Sequence, residues 1–239
     1  LENLDKIRNK INKIERKINN IVELICPVNP HSQNAFFDRE AQDLIKLYFY
    51  LILDFGIKKE DCTLYNICTN ALLFGNKINI LLDMLPKWAL SQILAGQFKD
   101  TEGQKSIADV KHVANNALMQ FTNQEIKDLT SNKSYVVEDP KTKKEKLESA
   151  TIDFDEFVEK PTVIYISVDV TVENNVNNRL AVLFMELLYV HLQEYLTKHN
   201  KTYFEDPILF LIDEFGNLPK MQFILNLCAL NQGQNIIPH

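Results

Sequence analysis

The hydrophobic pattern of this chain changes period at Pro161, and that change limits what it can fold into. Upstream, apolar residues recur at intervals of three and four, the spacing that gathers them on one helix face. Past it, Val163, Ile164, Tyr165, Ile166, Val168 and Val170 form a β-branched run of the kind found in a buried strand. Residues 177–199 return to the helical period, with Leu180, Leu183, Phe184, Leu187, Leu188 and Leu192 on one side, and residues 207–212 are again an apolar run. Strand, crossover helix and strand in that order predict two adjacent parallel strands joined by a right-handed connection. The expected fold is mostly α with an α/β part: an all-α domain with a flanking loop over residues 1–150, and a partial parallel sheet within residues 151–239.

Within the first part, Leu4, Ile7, Ile11, Ile14, Ile18, Ile21 and Ile25 form a stripe that ends before Pro27. Lys6, Arg8, Lys10, Lys13, Arg16 and Lys17 lie between them and make the opposite face basic. Three readings stay open: a short coiled coil, a helix facing nucleic acid, and a plain amphipathic helix with a solvated charged face. The last is favoured, because about three heptads is the lower limit for a coiled-coil pattern. Residues 38–54 are apolar on most sides, as in the buried centre of a bundle, with Gly56 as the stop. Thr63 caps a helix over 63–74 that Gly75 ends, 78–85 is another, and Pro86 opens the next at its first turn. Trp88 is expected in the core. Residues 106–130 read as one further helix, from the Ser106/Asp109 start through Ile107, Val110, Val113, Ala114, Ala117, Leu118 and Phe121. Residues 132–149, with Asp139, Pro140, Lys141, Lys143, Lys144 and Lys146, read as an exposed loop or short hairpin; contact of its lysines with DNA stays open, and a solvated loop is the favoured reading.

A chain of 239 residues that is 46% hydrophobic can bury a sizeable core, and a net charge of −6 restricts any nucleic-acid contact to a local patch. Cys26, Cys62, Cys68 and Cys228 have neither zinc-ribbon spacing nor the density of a disulfide scaffold, which points to reduced thiols. His31 follows Cys26 with no second pair at ligand spacing, so no metal site is assigned there. No signal peptide opens the sequence, and its most apolar run, 44–55, is broken by Lys46 and Asp54 and falls short of the ~20 residues a membrane span needs. A start at Leu1 and an end soon after a strand-like run are what a segment of a longer protein would show.

One motif carries chemistry. The apolar strand Ile208, Leu209, Phe210, Leu211, Ile212 runs straight into Asp213 and Glu214, followed by Phe215, Gly216, Asn217, Leu218 and Pro219. Ligands of open parallel sheets sit beyond the carboxyl ends of the strands, where this acidic pair emerges. A hydrophobic strand ending in Asp-Glu is the Walker B pattern: the first carboxylate holds the water shell of a phosphate-bound magnesium, the second orients the attacking water. Many strands end in an acidic turn, so the motif gains its weight from context.

That context resembles the type IV secretion coupling proteins, the ATPases of conjugal DNA transfer. Pro27-Val28-Asn29-Pro30 through Ala35-Phe36-Phe37-Asp38-Arg39-Glu40-Ala41 is similar to the opening of that family's all-α domain. Lys160-Pro161-Thr162-Val163-Ile164-Tyr165-Ile166 resembles the return to the sheet, and Leu211-Ile212-Asp213-Glu214-Phe215-Gly216-Asn217-Leu218 resembles the Walker B strand and its loop. The resemblance implies an all-α domain inserted in a RecA-like P-loop NTPase fold. It implies ATP and Mg2+ as cofactors of the parent protein, none of them expected bound to this segment, with Asp213 in the magnesium role and Glu214 in the water-activating role. Lys160 and Pro161 are only landmarks.

The partners it implies are relaxase–DNA complexes or secreted protein substrates, secretion-channel components and, as a possibility, DNA itself, with a homo-hexameric parent. The implied location is the cytoplasmic face of the bacterial inner membrane, with the anchor outside this segment and the segment itself soluble. One departure is plain: no Gly-x-x-x-x-Gly-Lys-Ser/Thr occurs, so the loop that grips the phosphates is not in this sequence and the segment is expected to be inactive alone. The alternatives are a helical protein-interaction module without ATPase chemistry and a related DNA-translocating ATPase.

Overall fold

A computed structural model describes residues 2–28, 34–58, 61–98, 105–131, 134–138, 145–149, 152, 154–167, 176–213 and 232–238. The chain forms two compact units, Leu1–Ala150 and Thr151–His239.

The first unit is built around α2, Ala35–Phe55. Its Ala41, Leu44, Ile45, Leu47, Tyr48 and Leu51 are completely buried, as expected of a helix apolar on most sides. Around it pack α1 (Glu2–Ile25), α3 (Leu64–Gly75), α5 (Gln92–Phe98) and α6 (Lys105–Met119), while α4 (Ile78–Met84) and α7 (Gln124–Thr130) lean on α3. Gly56 closes α2 at φ +77°, a left-handed conformation that glycine adopts without penalty, and its N–H bonds the Leu53 carbonyl. Thr63 caps α3 by accepting a hydrogen bond from the Asn66 N–H at 3.2 Å. β1 (Ser134–Glu138) and β2 (Glu145–Ser149) form an antiparallel hairpin with Ser134 opposite Ser149.

Three sequence expectations change here. Gly75 does not stop α3 from outside; it sits in the last turn, and the cap is Asn76. Its smallness serves a close approach instead, because a Cβ at Gly75 would lie 2.8 Å from the hydroxyl oxygen of Tyr48. Residues 106–130 are two helices rather than one. Asn123 accepts from the Ile126 N–H at 2.9 Å and starts α7, while the Thr122 hydroxyl donates to the Met119 carbonyl at 2.9 Å. The apolar spacing runs unbroken across this joint because Phe121 and Ile126, on either side of it, are both fully buried. Pro86 does not open a helix either: residues 86–91 are turns, and α5 begins only at Gln92.

The second unit holds α8 (Phe154–Glu159), α9 (Val176–Lys198), β3 (Ile208–Phe210) and β4 (Ile236–Pro238). α9 ends in a Schellman-type turn, with Asn200 at φ +53° and the Lys201 N–H bonded to the Leu196 carbonyl at 2.9 Å. β3 and β4 are parallel, in the register Ile208↔Ile236 and Phe210↔Pro238. The Ile208 N–H bonds the Asn235 carbonyl at 2.9 Å, and Asn235 Nδ2 donates to the Phe204 carbonyl at 3.0 Å, tying the approach to β3 onto the start of β4.

Among the described residues the parallel partner of β3 is β4 and not the predicted run, of which only 161–167 are described. Of that run, residues 161–167 belong to no strand and Tyr165 is 91% exposed; 168–170 lie outside the described residues. β-branched composition favours a pleated, packed surface rather than a backbone state, and among the described residues nothing packs over Val163 or Tyr165 to supply one. β3 is likewise less buried than its wholly apolar sequence suggests, since of its three residues only Phe210 is buried.

The Gly75–Tyr48 contact has a measurable consequence. Alanine ordinarily stabilises a helix relative to glycine by about 1 kcal/mol. At Gly75 the added methyl meets a ring that cannot retreat from the core, so Gly75→Ala is expected to destabilise by about 1–3 kcal/mol in chemical denaturation. Removing the hydroxyl with Tyr48→Phe in the same chain is expected to recover most of that loss.

Candidate functional site

Beyond the last hydrogen-bonded residue of β3 the chain passes through Leu211 and the half-buried Ile212 into a turn at Asp213. The Asp213 side chain is exposed, and it stands just past the carboxyl end of a parallel strand. Glu214 and residues 215–220 lie outside the described residues, so of the acidic pair the structure locates Asp213 alone. An accessible carboxylate is a hard oxygen donor of the kind magnesium takes, and Asp213 fits that role chemically. Among the described residues no group of three or more His, Cys, Asp or Glu side chains is arranged to hold a metal.

Lys160 and Pro161 stand apart from this turn in role. Lys160 follows α8 and its ammonium bonds the Glu156 carboxylate at 2.6 Å, a pairing that raises its pKa; both groups are exposed. A surface pair of this kind contributes little to stability.

A second polar cluster joins α8 to α9. The His191 Nε2–H donates to Asp155 at 2.9 Å, and Lys198 Nζ lies 3.7 Å from the other carboxylate oxygen. The Phe154 ring meets Phe184 edge-on at 5.6 Å and His191 at 5.4 Å between centroids. The hydrogen bond from His191, helped by the charges of Lys198, His191 and His199, holds the Asp155 carboxyl below the usual range. This spacing of 36 residues carries no sequence motif, and the sequence reading missed it.

In the helical unit the side chain most displaced from expectation is Trp88. It is 87% exposed rather than in the core, because it sits on the 86–91 turn segment. That segment is held from beneath: the Asp54 carboxylate of α2 accepts the N–H groups of Leu90 at 3.1 Å and Ser91 at 2.8 Å. Gln92 Nε2 donates to the Leu82 carbonyl at 2.8 Å, anchoring the start of α5 to α4. Ile80, Met84 and Ile93 in the same stretch are also exposed. The available signal was Asp54 itself, a charge at the end of an otherwise buried helix that needs donors.

Among the described cysteines, Cys26 and Cys68 are buried and Cys62 is exposed, all three as thiols rather than disulfides; Cys228 and His31 lie outside the described residues. Burial pushes the Cys68 thiol up to about 12, which makes it a packing group rather than a nucleophile. Among the described residues no helix is long and apolar enough to cross a membrane.

Two outcomes follow. Since the Asp155 carboxyl is held low, its contribution is present above the ordinary carboxylate range and is lost as pH falls through its folded-state value. Hydrogen-exchange protection of α8, measured relative to the intrinsic amide rate at each pH, is expected to fall with acid, and Asp155→Asn should flatten that dependence while leaving protection low at neutral pH. In the helical unit, Asp54→Ala strands two backbone N–H groups and is expected to cost about 1–3 kcal/mol in denaturant unfolding.

Compared with known families, residues 2–236 match the model of type IV secretory system conjugative DNA transfer. No curated protein and no solved structure matches the chain.

Proposed function

The chain belongs to the type IV secretory system conjugative DNA transfer family, and on that premise we propose that it is part of a coupling ATPase that drives DNA–protein or protein substrates toward a secretion channel. The helical unit is the all-α domain of that ATPase and the second unit is a portion of its RecA-like nucleotide-binding domain. The support is the family match together with Asp213, an exposed carboxylate directly beyond the carboxyl end of a parallel strand.

In this reading Asp213 would hold a magnesium ion through its water shell, and the ion would supply charge neutralisation at the nucleotide phosphates. Glu214 would orient the attacking water and take its proton. The glycine-rich loop and its lysine are not in this sequence, so the segment alone supplies half of the catalytic apparatus. The working ATPase is a ring of six copies at the cytoplasmic face of the bacterial inner membrane.

Recruitment falls to the helical unit. Trp88, with Ile80, Met84 and Ile93, offers the kind of aromatic and aliphatic anchors that dominate protein interfaces. Relaxase–DNA complexes and secreted proteins are the substrates this reading assigns to it.

ATP turnover decides the matter, measured in a longer protein that includes the phosphate-binding loop. Glu214→Gln is expected to lower turnover by about 10²–10⁴ while nucleotide binding persists, the range for losing a general base. Unchanged turnover would remove Glu214 from the chemistry and favour a helical interaction module without ATPase function.

A further inference from the structure

Residues 62–98 hold three charged side chains, Lys77, Asp83 and Lys87, in a chain that is 24% charged. Among the described residues the same stretch carries the most exposed large apolar side chains of the helical unit: Ile80, Met84, Trp88 and Ile93, from 64% at Ile80 to 87% at Trp88. Ile80 and Met84 stand one turn apart on α4, opposite Ile78 and Leu82, which are buried. Trp88 follows on the turn segment that Asp54 holds, and Ile93 lies in the first turn of α5, which Gln92 ties to the Leu82 carbonyl. Depletion of charge around exposed tryptophan and methionine is the composition of the centre of a protein interface rather than of a solvated face.

The chemistry of the partner follows from what borders this surface. Lys77 stands just before Ile78 and Lys87 just before Trp88, so the two flank α4, and both are exposed. Among the described residues neither ammonium has an ion partner. Asp83 is the one carboxylate of the stretch and has a contact of its own, which leaves both lysines to the acidic groups of a partner. The mode of binding follows from the backbone. An extended segment docks by adding to a sheet edge, whereas α4 and α5 satisfy their backbone groups within helices, so the fit is to another helix laid against them.

We infer that Ile80, Met84, Trp88 and Ile93 receive an amphipathic helix of a transported protein, apolar on the side that meets Trp88 and acidic where it passes Lys77 and Lys87. The inference rests on the recruiting role proposed for the helical unit and narrows it to one class of partner. An anionic bilayer fits less well. Insertion into fluid lipid needs no fixed side-chain positions, whereas these side chains stand on segments fixed by Asp54 and Gln92. A membrane plane also faces the charge of the whole chain, −6, while a bound helix senses mainly the two lysines within a Debye length of about 8 Å. A second copy of this chain would bring the same lysines face to face.

Trp88 is the only tryptophan of the chain, so its fluorescence reports on this surface alone. The probes are two synthetic helical peptides of about five turns with the same leucine face, one flanked by glutamates and the other by lysines. The glutamate peptide is expected to shift the emission to the blue and to saturate. The lysine peptide should bind at least roughly tenfold more weakly, because two flanking contacts turn from attraction to repulsion. Lys77→Glu with Lys87→Glu should reverse that order, with circular dichroism confirming the fold, since both positions are exposed.

Equal binding of the two peptides, or an order that the lysine pair does not reverse, overturns the acidic partner and leaves recruitment at Trp88 standing. Failure of both peptides to move the emission overturns the helical partner; recruitment falls with it only if Trp88→Ala also leaves substrate transfer by the longer protein unchanged. A blue shift with phosphatidylglycerol vesicles and with neither peptide overturns the inference in favour of a membrane face. A shift that grows with protein concentration alone overturns it in favour of a second copy.

Discussion

The helical unit depends on the complete burial of α2. A helix whose Leu44, Ile45, Leu47, Tyr48 and Leu51 all leave water must be surrounded, and the surrounding helices take their places from it. α3 approaches closely enough that only glycine fits at position 75 against the Tyr48 hydroxyl. α5 is tied in through Asp54, which ends the buried run by accepting two backbone N–H groups from the 86–91 turn segment. That carboxylate at the edge of the core turns a packing element into a fixed platform for an exposed tryptophan.

The second unit is organised differently. Its parallel pair is three residues long on each strand, and parallel strands are normally covered on both faces. Here Leu209, Leu211 and Ile237 keep large exposed surfaces, and Val163 and Tyr165 nearby in sequence to α8 do the same. Its buried apolar side chains come mainly from α9, with Leu192 and Leu196, and from Phe204 and Ile236. The Schellman-type end of α9, the side chain of Asn235 on the Phe204 carbonyl and the Asp155–His191 contact between α8 and α9 add to that core.

Helical periodicity made most of the first unit legible. α1, α2 and α3 were readable from the three-and-four spacing, from Gly56 and from the Thr63 cap, because each signal is local and each is satisfied locally. The joint between α6 and α7 was not, since Phe121 and Ile126 keep the apolar phase across it and the break is made by Asn123 and Thr122. Trp88 was misplaced for a related reason: an aromatic side chain reads as core unless the turn that carries it is recognised, and this turn is fixed by Asp54, distant in sequence. At the candidate site, Asp213 could be read as the residue following an apolar strand, which is a property of neighbours in sequence. The partner of that strand could not, because a β-branched run states that a segment tolerates pairing and not which edge it meets; among the described residues β3 pairs with β4, and 163–167 are in no strand.

This contrast bears on the function proposed for the two units. A carboxylate that handles a hydrated cation needs access to water, which Asp213 has, and needs a rigid strand end to hold it at one place, which a two-stranded pair gives only in part. A recognition surface needs apolar anchors held in place before a partner arrives, so that little ordering entropy is lost on binding. The turn under Trp88 meets that requirement within the helical unit itself, through two hydrogen bonds to a single carboxylate. The strand end under Asp213 has no such support from its own apolar residues, since Leu209 and Leu211 are exposed. The exposed Trp88 is thus held in place by the core of its own unit, whereas the strand end that carries Asp213 keeps Leu209 and Leu211 exposed.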